Sequence, residues 1–443
     1  MSMTTPIVDF VRRYAQSGTS RLHMPGHKGQ SLLGFEPLDI TEIRGADELY
    51  APEGIIAESE KNTSEIFHSY KTLYSAGGST LCIFTMLAMC LMNGKNRRVA
   101  AVRNCHRSFL NACVFLDAEV EWIYPEYENT LVSGKITPEA VERAIEKSSP
   151  ACVYLTSPDY LGHITEIDGI ADICHKHGVM LLVDNAHGAY LNFIGEPPMH
   201  PNYHGADMCC DSAHKTLPAL TGGAYLHINN PKAEKYEGYA KEIMSMFGST
   251  SPSYLIMRSL DECADFMDTR AKKYFNEMAL AADKAKSLLS PVWHIEDTEA
   301  GKLTLFTPPC GYTGTELADI LREYKIECEY ADHTHIVLML TGLSADEITY
   351  IGKVISNLPQ PRIFVPTPKI KSFSPLEKAM SIREAAFSDS EEISVSDAAG
   401  RICARAVSCC PPGIAAVVGG EKFSRESINI LKNYSIFKVN VVK

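Results

Sequence analysis

The sequence predicts an α/β protein, with a mostly parallel sheet whose strands alternate with helices and a smaller α+β portion after it. Three observations predict this. Apolar runs of four to six residues recur at 98–102, 151–155, 179–183 and 206–210. Such short, almost fully apolar runs read as strands buried on both faces. Helix-like stretches lie between them, as at 138–147 and 170–177, and strand alternating with helix gives a parallel sheet. Each run also stops at a polar cluster: Arg103 to His106, Thr156 to Asp159, Asp184 to His187, and Asp211 to Lys215. Ligands of such sheets bind outside the carboxyl ends of the strands, where these clusters fall.

The remaining elements follow in order. Residues 1–45 form an N-terminal segment and residues 46–285 the major domain. A small α+β domain spans 286–360, with strand-like runs at 303–306 and 336–340 around a helical stretch at 314–324. The Pro-rich stretch 359–368 reads as a linker. A C-terminal segment, 361–443, carries a helical stretch at 375–387 and a Pro-Pro-Gly turn at 411–413.

Composition narrows the function. The chain has 443 residues, enough for two or three domains. Its 45% hydrophobic and 22% charged residues are the mix of a soluble globular chain. A net charge of −12 argues against a nucleic-acid partner and suits a cationic small substrate. The 14 cysteines contain no C-x-x-C pair, and Cys209-Cys210 and Cys409-Cys410 are adjacent, so they read as small buried hydrophobes in a reducing compartment. The N-terminus lacks a signal-peptide pattern, and the longest apolar stretch, 81–92, is too short to span a bilayer. A cytoplasmic protein without a membrane partner is expected.

Four elements carry candidate chemistry. Lys215 follows Ser212 and His214 just past a strand, and a partly buried amine there loses its proton readily and becomes a nucleophile toward carbonyls. The same lysine also reads as a solvated surface residue. Asp184 follows an apolar strand, where a carboxylate is costly without a partner; a pyridinium nitrogen is one, and a turn role is the alternative. His187 reads equally as a core histidine. Ala76-Gly77-Gly78-Ser79-Thr80 precedes an apolar helix, and a helix start with glycines and hydroxyls suits an anion or simply caps a core helix. His106, at another strand end, could stack on a planar cofactor or be structural. Metal readings do poorly: His23/His27 and His200/His204 have i,i+4 spacing, but Pro and Gly between them oppose the aligning helix.

Taken together these residues resemble the Orn/Lys/Arg decarboxylase family. The resemblance rests on 23–29 (HMPGHKG), 39–43 (DITEI), 103–108 (RNCHRS), 156–160 (TSPDY), 184–188 (DNAHG), 212–215 (SAHK), 250–254 (TSPSY), 383–385 (REA) and 411–414 (PPGI). It implies fold type I, the aspartate-aminotransferase-like architecture, with pyridoxal 5'-phosphate as cofactor. It implies Lys215 as the covalent anchor, Asp184 at the pyridine nitrogen, His106 and Ala186 on the two ring faces, and His187 near the ring hydroxyl or substrate carboxylate. Gly78, Ser79, Thr80, Ser212 and His214 would hold the phosphate, and Thr250 or Ser251 would reach the phosphate of a neighbouring subunit in a homodimer or dimer of dimers. The implied activity is decarboxylation of lysine, ornithine or arginine. Another pyridoxal-phosphate reaction, such as transamination or elimination, and a non-catalytic relative remain alternatives. Glu384 is the candidate for the substrate's distal cation, with helix capping as its other reading and Asp47 and Glu48 as competitors. Arg383 is the nearest C-terminal candidate for a carboxylate clamp. Two positions depart from the family pattern: Asn185, where an acid is common, and Cys409-Cys410. The chain also resembles the short form without an N-terminal receiver-like domain.

Overall fold

A computed structural model describes residues 3–92, 94–127, 130–229, 234–359, 365–366, 374–409 and 413–443. Cys410, Pro411 and Pro412 of the 411–413 turn, and most of the 359–368 stretch lie outside the described residues.

In chain order, α1 (Pro6–Gln16) and α2 (Ile55–Ile66) precede β1 (Lys71–Ser75) and α3 (Gly78–Leu91). Then come β2 (Arg98–Val102), α4 (Arg107–Leu116), β3 (Glu119–Ile123), α5 (Pro138–Ser148), β4 (Cys152–Thr156) and α6 (Ile167–Lys176). The next stretch holds β5 (Met180–Asp184), β6 (Met208–Asp211), α7 (Ala213–Thr216), β7 (Ala224–Ile228), α8 (Glu234–Phe247), α9 (Tyr254–Phe266) and α10 (Lys272–Leu289). The later part holds β8 (His294–Ile295), β9 (Lys302–Phe306), α11 (Gly314–Glu323), β10 (Tyr330–Ala331), β11 (His335–Met339) and α12 (Ala345–Ser356). The chain ends with α13 (Ile382–Phe387), β12 (Ser390–Ser394), β13 (Val407–Ser408), β14 (Ala415–Val417), α14 (Arg425–Asn433) and β15 (Lys438–Val442).

The chain forms two compact units. The first, Met1–Lys95 with Met180–Phe275, holds β1, β7, β6 and β5 in that order. Here β5 and β6 run parallel, with Asp184 opposite Cys210, while β7 is antiparallel to β6 and β1. Helix α3 is apolar on all sides, and residues 81–89 are buried. A helix without a polar face belongs in a core, and α3 packs on β7 and β6. The second unit, Asn96–Val179 with Asn276–Lys443, holds β3, β2 and β4, all parallel. Its smaller sheet has the antiparallel order β10-β11-β9-β8. Capping boxes at Thr313/Glu316 and Ser344/Glu347 start α11 and α12. The chain's last part pairs β12 with β15 and β13 with β14, and a buried apolar cluster including Val417, Leu431 and Val441 lies there.

These are the mostly parallel α/β sheet and smaller C-terminal portion that the sequence predicts. One element differs. The helix expected over 375–387 begins only at Ile382, because Ser381 and Glu384 close a capping box there. Lys378, inside the expected helix, is instead extended and bridged to Glu421.

Candidate active site

Most of the predicted site residues fall in the first unit, at the carboxyl ends of β5 and β6 and the start of α3. Parallel register brings the first two together, since Asp184 ends β5 and Asp211 ends β6. Beyond β6, Ser212 leads into α7, which carries His214 and Lys215. Beyond β5 come Asn185, Ala186 and His187, all buried.

Lys215 Nζ lies 3.0 Å from His187 Nε2. Lys215 is half-buried, so its amine sits at the edge of the interior. Asp184 is only 1% exposed. Its Oδ1 accepts the Ala186 N–H at 3.2 Å, and the Cys210 thiol points to the same oxygen at 3.8 Å. A carboxylate so deeply placed needs partners that keep it charged.

The start of α3 is open. Gly78 has φ +67°, a backbone conformation that favours glycine, and a Cβ built there would meet nothing within 4 Å. Its N–H donates to Gly222 O at 2.9 Å. The Ser212 hydroxyl donates to the Ser79 hydroxyl at 2.7 Å, so two predicted phosphate ligands meet across 133 residues of chain. Thr80 is exposed beside them, and His214 Nδ1 donates to Gly223 O at 3.0 Å. A helix start with paired hydroxyls, a half-buried amine and a buried carboxylate are groups that fit the phosphate, aldehyde and ring nitrogen of pyridoxal phosphate, the cofactor the resemblance implies.

Asn185 has a definite partner. Its Nδ2 donates to Asp211 Oδ1 at 2.6 Å. Asp211 also receives His200 Nε2 and His227 Nε2, each at 3.0 Å. Sequence reasoning did not single out this buried network, although Asp211, like Asp184, is an acid closing an apolar strand. His200 thus pairs with Asp211, whereas His204 Nε2 pairs with Pro198 O at 3.0 Å. His200, Cys209 and Asp211 bring possible metal-ligand atoms within 4.8 Å of one another. Those atoms already have protein partners, the Cys209 thiol donating to Asn202 Oδ1 at 3.0 Å.

Thr250 and Ser251 are exposed on the loop before α9. In the second unit, His106 is the N-cap of α4, its Nδ1 accepting the Ser108 N–H at 3.1 Å. Glu384 is exposed, and its carboxylate accepts the Ser381 N–H at 2.8 Å, the capping role weighed for it above. Arg383 Nη1 donates to Val114 O at 2.9 Å, at the end of α4. In the first unit, Asp47 accepts the backbone N–H groups of Glu48, Glu53, Gly54 and Ile56 at 2.9 Å each, and Glu48 is exposed.

The fold and site together define an α/β protein with a lysine-centred cluster at the ends of parallel strands. The chain belongs to the Orn/Lys/Arg decarboxylase family: residues 5–306 match its major domain and residues 370–439 its C-terminal domain. It is 29% identical to an arginine decarboxylase of Bacillus subtilis (strain 168), over 97% of this chain and 93% of that protein. It is 28% identical to YaaO of the same organism, which bears the name uncharacterized protein, over 99% and 96%. Among solved structures, the lysine decarboxylase LdcF of Francisella novicida superposes with a TM-score of 0.79 at 16% identity, over 100% of this chain and 81% of that one. The constitutive lysine decarboxylase of E. coli gives 0.78 at 18%, over 100% and 82%. The architecture is that of fold type I, as the resemblance implies. Among the described residues, no helix is long and apolar enough to cross a membrane.

Proposed function

We propose that the protein is a pyridoxal-phosphate-dependent decarboxylase of a basic amino acid, arginine, lysine or ornithine, releasing CO2 and the amine that serves as a polyamine or its precursor. The observation that carries this reading is the Lys215–His187 pair at 3.0 Å beside the buried Asp184, in a chain of the decarboxylase family. The name arginine decarboxylase on a relative and lysine decarboxylase on structural neighbours support the substrate class. The net charge of −12 suits a cationic substrate.

In this reading Ser79, Ser212 and the open start of α3 bind the phosphate, and Lys215 anchors the cofactor. Asp184 presents a fixed negative charge to the ring nitrogen, and Ala186 offers a small apolar surface to the ring. When bound, the cofactor supplies an electron sink for the pair left behind as CO2 departs. With substrate bound, the Lys215 amine would be free to act as acid and base. Lys215 then delivers a proton to the α-carbon, and His187 exchanges protons with Nζ across the 3.0 Å contact. Each turnover consumes one proton and releases one CO2.

The test is an amine-product screen with arginine, lysine, ornithine, norleucine and tyrosine, with CO2 release measured in parallel. Stoichiometric CO2 and amine from one basic substrate are expected. Equal turnover of neutral and basic amino acids would overturn the substrate class. Turnover that requires a 2-oxoacid and releases no CO2 would replace decarboxylation with transamination.

A further inference from the structure

Asp211 ends β6 one residue before Ser212 and four before Lys215, and it is wholly buried. A carboxylate in that position is costly unless donors surround it. Three do. Asn185 Nδ2 donates to Oδ1 at 2.6 Å, and the Nε2 atoms of His200 and His227 donate to Oδ2 at 3.0 Å. A carboxylate only accepts, which fixes these roles. His200 Nδ1 accepts the Asn202 N–H at 3.2 Å, and His227 Nδ1 lies 2.8 Å from the Thr72 hydroxyl. Each ring therefore carries its proton on Nε2. Burial pushes the Asp211 carboxyl up, but the two facing histidines outweigh it and hold it well below the usual carboxylate range. Burial pushes His227 down, in keeping with a neutral ring.

Asn185 is the link from this network to the site. It stands between Asp184 and Ala186, two residues before His187. Its backbone N–H donates to Cys210 O at 3.0 Å while its side chain grips Asp211. The turn after β5 is thus tied to the end of β6 at two points. One side of that tie carries Asp184 and His187, and the other carries Ser212 and Lys215.

We propose that Asp211 is a positioning residue: held by His200 and His227, it fixes Asn185 and so sets the spacing of Asp184 and His187 against Lys215. It acts through Asn185 on groups assigned to the cofactor site, and in that sense rests on the function proposed above. The bond is an amide donating to a carboxylate, so exchanging the two residues can restore it. Asp211→Asn leaves one side-chain oxygen for three donors. Asn185→Asp sets two carboxylates against each other. In the double variant, the amide at 211 donates to the carboxylate at 185, and its oxygen remains for the histidines.

The test uses the cofactor-free protein. Lys215 is labelled by reductive methylation across a pH series and followed by peptide mass spectrometry, with melting temperature recorded alongside. Asp211→Asn and Asn185→Asp should each move the labelling midpoint by about half a pH unit or more, because a displaced His187 no longer faces the amine. The double variant should return it to near the wild-type value. Titration of pyridoxal phosphate should show each single change weakening affinity by about tenfold, and the double variant within about threefold of wild type. Asn185→Ala, which leaves Asp211 and both histidines in place, gives the same shift should Asp211→Asn fail to fold. Variants that melt lower but keep the wild-type midpoint and affinity would make the network structural only and overturn the proposal. A double variant no better than either single would also overturn it. A wild type that binds no pyridoxal phosphate would sink the proposed function while leaving the labelling test able to decide this one.

Discussion

The amine of Lys215 and Nε2 of His187 stand 3.0 Å apart, although 28 residues separate them in the chain and each arrives from a different strand end. The contact follows from parallel β5 and β6, which place the residues after their carboxyl ends side by side. An amine held against an imidazole at that distance has a proton partner before any substrate enters. The nucleophile reading of Lys215 rests on this contact.

Lys215→Ala should lose the absorbance band of bound pyridoxal phosphate and lower kcat by about 10³-fold or more, since in the proposed function Lys215 is both the anchor and the proton carrier. Absorbance spectra and CO2 release check this. Retention of both band and turnover would move the anchor to another lysine.

Asp184→Asn should behave differently. The substitution keeps size and the Ala186 hydrogen bond but removes the charge. Cofactor affinity should change little, while kcat falls by about 10²-fold or more, because the electron sink depends on a protonated ring nitrogen. Equilibrium titration of the cofactor and single-turnover CO2 release separate the two effects. Near-wild-type turnover would return Asp184 to the role of a turn residue.

The active species should be at least a homodimer. Thr250 and Ser251 are exposed before α9, and the segment before Glu36 exposes Leu22, Leu32 and Leu33, each at least 71% accessible. Apolar side chains gathered in one short stretch mark a surface for association. Sedimentation at assay concentrations should give twice the 48.8 kDa chain mass or more, and an active monomer would refute this.

A second-unit ion pair ties the late chain to β2. Arg103 meets Glu421 in a two-point contact at 2.9 and 2.7 Å, and both are almost wholly buried. Glu421 also accepts the Val418 N–H at 2.8 Å, and the guanidinium lies 4.8 Å over the Trp122 ring. Glu421→Ala leaves a buried cation without its counter-charge and should cost about 3–5 kcal/mol. Arg103→Met with Glu421→Leu removes both charges and should recover much of that loss. Urea midpoints of the three proteins test it, and equal midpoints for wild type and Glu421→Ala would show the pair to be idle.

The sequence made strand positions legible because buried parallel strands are written as short apolar runs: the run at 98–102 coincides with Arg98–Val102, and the others lie within two residues of theirs. Asp184 was legible by cost, since an acid after an apolar strand needs a partner. The same argument applies to Asp211, but its partners His200 and His227 come from a turn before β6 and from β7, and no spacing announces them. The 375–387 stretch has helix-permissive composition, yet pairing of Lys378 with Glu421, distant in sequence, overrides local preference until the cap at Ser381. His106 and Glu384 could be found as residues, but their hydrogen bonds as helix caps depend on where α4 and α13 begin, the least legible feature of a helix.

The second unit also carries a pH-sensitive relay lining a cavity of about 640 Å³. His163 lies between two acids, with Nδ1 3.5 Å from Asp159 and Nε2 3.6 Å from Glu296. The facing carboxylates, Asp159 first and then Glu296, raise the His163 pKa to about 10. His163 and His335, each 3.6 Å away, hold Glu296 well below the usual carboxylate range. The signs follow. A raised histidine pKa contributes stability that is fully present below the ordinary value of 6.5 and is lost as pH rises toward about 10. The depressed Glu296 contributes stability present above the ordinary value of 4.5 and lost as pH falls below it. Both contributions are therefore in place together between about pH 5 and 6.5. Because the His163 side chain is 36% exposed, solvent screening keeps its share to about 1 kcal/mol. His163→Gln should consequently lower the urea midpoint at pH 6 and approach the wild type as pH rises from 7 toward 10. A wild-type-minus-variant difference that stays constant over that range would show that His163 is held neutral and that the relay carries no charge.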